Sequence, residues 1–409
     1  MTAYAALLAQ LEAAWRRSDE LFALLSDGAL AQRPIALRHP LLFYLGHLPA
    51  FAHNQIARGA LGRPPLDPTL DELFARGIDP ESESSAPTLA RWPAPASVLA
   101  YRDAVRERVR AAIPEVLAAR GDILCEHGRV VSLVIEHELM HHETLQYLFA
   151  QCPDGTLTAP NGLAPPRQGQ GRAARRRAIP AGEVTLGARF DELAFGWDNE
   201  FGAERHAVEA LELSDLPVRN RDWLDCMGRD SSGELTPASW VRGERGWLVR
   251  TVFGAVPFEL AEGWPVQVSA AQARRYCAQL GGRLGTEAEL HHAARATLDR
   301  EDFAPSALVH WQRWYPDPVG AAPESASAFA VEELVGNGWE WTSTVFAPRE
   351  GFTPWARTYP GYSADFFDGE HDVVFGGAWP TDRALLRRSF RNWYRRNYPY
   401  AFTSFRVAW

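Results

Sequence analysis

Apolar positions recur at helical spacing through the first 150 residues. Leu8, Leu11 and Trp15 fall three and four apart, and Leu21, Phe22 and Leu25 continue the stripe. The same spacing predicts a second helix around 39–60 and a third from Leu99 to residue 119. The clearest is SLVIEHELMHHETLQYLFA, residues 132–150. Four long amphipathic helices predict an up-down bundle, whose interior can hold metal sites. After residue 179 the pattern changes. Short β-prone pieces (EVTLG, WLVRTVF, DVVFGG, FRVAW) alternate with glycines and tryptophans. One helix stands out, SAAQARRYCAQLGG at 269–282, ending in a glycine pair that suits a C-cap. This predicts an irregular α+β domain with long loops.

Between the two lies a stretch rich in Pro, Gly and Arg, residues 152–182, with neither period. The predicted organisation is a helical domain over 1–151, a linker over 152–178 and an α+β domain over 179–409. Tryptophan placement agrees: only Trp15 and Trp92 precede residue 196, out of 15.

Charge narrows the chemistry. The 409 residues carry 42 basic and 51 acidic side chains, a formal net charge of −9, and every basic residue is arginine. With no lysine, Schiff-base catalysis, lysine-anchored pyridoxal phosphate and a P-loop lysine are excluded. The mild acidity argues against a general nucleic-acid or membrane-surface role. Cys125, Cys152, Cys226 and Cys277 form no C-x-x-C pair, which fits a reducing compartment. The N-terminus has no basic leader before an apolar core, and no apolar run reaches about 18 residues. A cytoplasmic protein is expected; these patterns do not speak to its oligomeric state.

Candidate chemistry centres on histidines. His137 and His141 sit four apart on the clearest helix, so both rings leave one face, the spacing two imidazoles need to share a metal ion. HELMH (137–141) also fits the H-E-x-x-H of zinc peptidases, with Glu138 as general base, although HETLQYL continues without a metzincin extension. A third candidate ligand is His47 in HPLLFYLGHLPAFAHNQ, with Phe43 one turn earlier on the same face. His53, six residues beyond His47, is poorly aligned with it and reads as structural. Three neutral imidazoles leave coordination positions for substrate and O2 on iron, but ligand count alone does not separate iron from zinc. The tail, SFRNWYRRNYPYAFTSFRVAW (389–409), interleaves arginines with aromatics and reads as folded protein with Arg–aromatic stacking rather than a nucleic-acid surface.

Several segments resemble a known fold. GGRLGTEAELHHAAR (281–295), VGNGWEWTSTVF (335–346), FFDGEHDVVFGGAWPTDRALLRRSFRNW (366–393) and the terminal SFRVAW resemble the formylglycine-generating-enzyme-type domain, related to C-type lectins. Such enzymes use a late cysteine pair, and no cysteine follows Cys277, so that activity is not expected. A lectin-like carbohydrate-binding module is a further, non-catalytic reading. With the first domain included, the chain resembles the ergothioneine sulfoxide synthases. That resemblance implies an α+β chain: a DinB-like four-helix bundle followed by the formylglycine-generating-enzyme-type domain.

It implies Fe(II) held by His47, His137 and His141, with O2 as co-substrate, and a chalcogen joined to C2 of the imidazole of hercynine. A tyrosine, Tyr359 or Tyr362, would deliver a proton or hydrogen atom. Asn392 and Trp393 would hold the hercynine carboxylate, and Phe43 would face its trimethylammonium group. Whether GNGWEW also holds a structural Ca2+ stays open. Departures bear on the donor. Met140 replaces the family's glutamine, Tyr394 and Tyr398 replace an acidic residue and an arginine of the thiol pocket, and Arg91 stands alone in a segment that is usually arginine-rich. Tyrosines suit a neutral, hydroxyl-rich donor better than a charged γ-glutamyl one. This pattern is similar to the selenoneine synthase branch, which uses a selenosugar, 1-seleno-N-acetylglucosamine. The sulfur alternative is γ-glutamylcysteine or cysteine.

Overall fold

The computed structural model describes residues 3–75, 92–228, 233–295, 309–310 and 313–409. It divides into two units, one of Met1–Asn161 with Trp355–Pro360, the other of Gly162–Pro354 with Gly361–Trp409. The seam falls inside the expected linker, and β1 below already begins at Arg176. No described helix is long and apolar enough to cross a membrane.

The first unit is helical: α1 (Ala3–Ala23), α2 (Leu41–Ala52), the short α3 (Pro68–Leu73), α4 (Pro95–Ala118) and α5 (Arg129–Phe149). Helix α2 is buried along its whole length, as expected of a helix that is apolar all round. The predicted helix over 39–60 is not uniform. From His53 to Ala60 it widens into π-helical turns, just after Pro49, which has no N–H to give to the α-helical ladder. Asp67 caps α3 by accepting from the N–H groups of Thr69 and Leu70 at 3.0 and 3.1 Å, with Pro68 preset as the first helical residue.

The second unit is α+β. Antiparallel pairs join β1 (Arg176–Ile179) to β4 (Leu211–Ser214) and β2 (Gly182–Leu186) to β3 (Glu204–Val208). Helix α6 (Asn220–Met227) leads to a meander of β5 (Trp240–Gly243), β6 (Gly246–Thr251) and β7 (Gly254–Pro257). After α7 (Phe258–Ala261) comes α8 (Ala270–Gln279), the predicted helix. Ser269 caps it in a reciprocal box with Gln272, and Gly281 beyond it takes φ +67. Helix α9 (Glu287–Ala293) precedes the main sheet, ordered β10–β9–β8–β11. It is built from β8 (Trp339–Val345), β9 (His371–Phe375), β10 (Asn392–Arg395) and β11 (Thr403–Ser404), with α10 (Gly361–Ala364) between β8 and β9. The predicted strand FRVAW is not regular. Phe405 accepts from Val218, Val407 and Trp409 pair briefly and antiparallel with Ser214 and Glu212 at β4, and Ala408 also bonds Arg283, so the segment is split between neighbours.

The side chains of GNGWEW are engaged within the protein. Asn337, at φ +65, accepts from the Asp317 N–H at 2.8 Å and donates to the Asp317 carbonyl at 3.0 Å. Glu340 pairs with Arg406, each 1% exposed, and Arg406 also donates to the carbonyls of Ser214 and Glu332. Glu340→Ala would strand a buried guanidinium. We expect a loss of about 3–5 kcal/mol, read from the urea midpoint. An unchanged midpoint would show that the pair contributes nothing.

Candidate metal centre

Helices α2 and α5 bring together the nitrogens of His47, His137 and His141, one from each ring, all within 4.8 Å of one another; among the described residues this is the only such group of potential ligands. The arrangement follows from local geometry. One turn separates His137 from His141 on α5, and His47 is on the buried α2. Ring centroids lie 5.0 Å apart for His47–His137 and His47–His141, and 4.5 Å for His137–His141.

Electrostatics keep the rings neutral. Burial lowers the His47 pKa to about 4, against a raising hydrogen bond to the Phe74 carbonyl. Burial, then the neighbouring imidazoles, lower His137 well below its ordinary value; burial, His47 and Arg38 do the same for His141. Without metal, this makes the fold acid-sensitive. An unfolded histidine titrates near 6.5. Below that value the unfolded chain takes up protons that the folded protein refuses. Stability is therefore complete above about 6.5 and falls as pH drops toward 4, by about 1.4 kcal/mol per pH unit for each such histidine. Urea unfolding of metal-free protein at about pH 7.5 and 5 checks this; a higher midpoint in acid would refute it.

The donor set fits a metal ion. His47 Nδ1 donates to the Phe74 carbonyl at 2.8 Å, which leaves Nε2 as a bare lone pair 3.3 Å from His137 Nε2. Nitrogens bound at about 2.1 Å to one ion lie roughly 3–3.4 Å apart. The buried Nδ1 atoms of His137 and His141 have no hydrogen-bond partner.

The surroundings separate the other candidates. Tyr359 belongs to the same unit, its ring 6.4 Å from His137 and 5.3 Å from Phe51. Tyr362 belongs to the second unit, stacked on Trp197 at 4.0 Å and edge-on to Trp393 at 5.3 Å. Phe43 is 1% exposed and lies between His39 and His47, at 4.1 and 5.1 Å. Both rings stack on it, with 27° and 17° between the planes. Met140 is half-buried, its carbonyl accepting from Thr144 Oγ1 at 3.2 Å. Arg91 lies outside the described residues. Phe51 was not singled out by sequence, yet it stacks on His137 at 3.5 Å with 7° between the planes. Its signal was position, one turn after His47 as Phe43 is one turn before.

Glu138 does not serve the histidines. Its carboxylate accepts from Ser18 Oγ, which also meets His142 Nε2 at 2.8 Å, and burial raises its pKa to about 7. The general base of the peptidase reading is thus engaged by Ser18 in this structure.

In the second unit, Trp393 stacks on Phe346 at 3.9 Å, and Asn392 Oδ1 accepts from the Trp393 N–H at 2.9 Å. Tyr394 and Tyr398 stack at 5.7 Å with 8° between their planes. Three arginines of the tail are paired with acids, Arg391 with Glu287, Arg396 with Asp372 and Arg406 with Glu340. This supports folded protein over a nucleic-acid surface.

Residues 162–409 match the sulfatase-modifying factor enzyme 1-like domain, and residues 10–145 match the DinB superfamily. The hercynine oxygenases of Mycolicibacterium smegmatis and Mycobacterium tuberculosis are 31% and 32% identical, each alignment covering 94% of this chain and 94% of the relative. Ergothioneine biosynthesis protein 1 of Neurospora crassa is 29% identical over 97% of this chain, which spans 57% of that relative's length. The chain thus belongs to the hercynine oxygenase family, a DinB superfamily domain followed by a sulfatase-modifying factor enzyme 1-like domain.

Proposed function

We propose that the protein is an Fe(II)-dependent, O2-using enzyme that joins a chalcogen to C2 of the imidazole of hercynine. The carrying observation is a cluster of three neutral histidines beside a tyrosine, in a chain aligned over 94% of its length with hercynine oxygenases. His47, His137 and His141 would hold the iron, which when bound supplies O2 activation and positions for substrate. The chain's own residues do the rest. The Phe74 carbonyl orients His47, Phe51 holds the plane of His137, and burial keeps all three rings unprotonated. Tyr359 holds the proton delivered during turnover. Asn392 and Trp393 are proposed to hold the hercynine carboxylate.

The named relatives favour the ergothioneine pathway, with γ-glutamylcysteine or cysteine as donor. A second reading, a selenosugar such as 1-seleno-N-acetylglucosamine, is favoured by the stacked Tyr394–Tyr398 pair. It offers ring faces and hydroxyls where a γ-glutamyl group would want fixed counter-charges. Aerobic incubation of Fe(II)-loaded protein with hercynine and each donor, with products read by mass, separates them. A sulfur adduct alone assigns the thiol donor, and a selenium adduct alone assigns the selenosugar. No product with any donor overturns the proposal.

A further inference from the structure

We infer that Asp71 is a positioning residue for the histidine centre, fixing the ring of His47 through the carbonyl of Phe74. Its metal-affinity consequence rests on the reading of His47 as a ligand; its effect on the ring itself does not.

A neutral imidazole carries one N–H, and its hydrogen-bond partner decides which nitrogen bears it. Here that partner is the Phe74 carbonyl, 2.8 Å from His47 Nδ1. Wherever this carbonyl sits, His47 Nε2 is aimed accordingly. Phe74 is the C-terminal cap of α3, a helix of only six residues. A helix this short has little stability of its own and takes its place from tertiary contacts.

Those contacts converge on Asp71, which is 1% exposed. Its Oδ1 accepts from the Tyr101 hydroxyl at 2.6 Å, and its Oδ2 from the Leu66 N–H at 3.0 Å. His53 Nε2 lies 3.5 Å from the same Oδ2, and Asn54 Nδ2 donates to the Asp71 carbonyl at 3.1 Å. The side chain thereby ties α3 to α4 and to the turn before α3, while the Asp71 backbone carbonyl, through Asn54, holds the π-helical turns that follow α2. A buried carboxylate is tolerated only when donors converge on it, and an apolar residue could not accept from both Tyr101 and Leu66. Glycine completes the arrangement at position 46. A Cβ there would stand 2.5 Å from the Phe74 ring, so its absence lets α3 close on α2 beside His47.

The test uses Asp71→Asn and Tyr101→Phe, with Val105→Ala as control. Val105 is fully buried one turn further along α4 and outside these hydrogen bonds. Melting curves establish that each variant folds. In the metal-free protein labelled with 15N-histidine, the His47 signal, assigned by its loss in His47→Gln, should report an Nδ1–H ring. In Asp71→Asn it should become a mixture of both tautomers. Anaerobic titration with Co(II), followed by its visible absorption, should show affinity about 10–100-fold weaker in Asp71→Asn, and weaker in the same direction in Tyr101→Phe. Two results overturn the inference. One is a wild-type tautomer in both folded variants. The other is Val105→Ala loosening Co(II) as much as Asp71→Asn, which would make the effect one of stability. If the tautomer shifts as expected while wild-type protein takes up no Co(II), the positioning of His47 stands and the metal reading falls.

Discussion

His141→Ala should abolish iron loading. Three imidazoles hold the proposed ion, and two leave it with neither a facial set nor the one-turn pair on α5. Affinity should fall by more than about 100-fold, beyond the upper range for merely disturbing an outer partner of a ligand. Folding should survive. His141 is only half-buried, and its Nδ1 has no hydrogen-bond partner, so truncation removes a desolvated polar atom rather than a bond. The melting temperature of the metal-free variant should match the wild type or exceed it. His142→Ala, one residue on, should do the reverse. It gives up the Ser18 contact and loses stability, yet keeps most of its iron. Metal analysis after anaerobic loading and desalting decides the matter. Full occupancy in His141→Ala would refute the ligand assignment.

The second large effect belongs to Tyr359. Tyr359→Phe keeps the ring against Phe51 and His137 and removes only the hydroxyl. If that hydroxyl delivers the proton, turnover should fall by about 100- to 10,000-fold while iron binding is retained. Tyr362→Phe should turn over close to the wild-type rate, because Phe preserves the stacking on Trp197 and the edge contact with Trp393. Single-turnover rates, with iron content matched, give the comparison. Equal, wild-type rates in both variants would remove tyrosine from the mechanism.

The reach of sequence reading follows from how local each signal is. Spacing placed His137 and His141 on one helical face, because an α-helix fixes that relation within one turn. The family resemblance pointed to His47, in LGH of FYLGHLPAF. The structure gives the glycine beside it a reason, since Gly46 admits the Phe74 ring. Which of Tyr359 and Tyr362 stands beside the histidines was not legible. The two stand three residues apart, and the choice depends on which unit each packs in, a long-range property. Glu138 was ambiguous for a similar reason. HELMH specifies an acid next to a ligand but not Ser18, 120 residues away, which turns that acid aside. The widening of α2 at His53 also escaped, because apolar periodicity does not distinguish π from α turns over eight residues. The one-turn spacing of Phe43 and His47 likewise accounts for their stacking.

The hexapeptide Trp355–Pro360, counted with the helical unit, gives the centre a birth order. Translation at about 5–20 residues per second completes the three histidines roughly 10–45 s before Tyr359 is made, some 220 residues later. The nascent helical unit thus carries all three nitrogens while it still lacks the hydroxyl. On the ribosome, the proposed metal ligands are therefore assembled before the proposed proton donor exists.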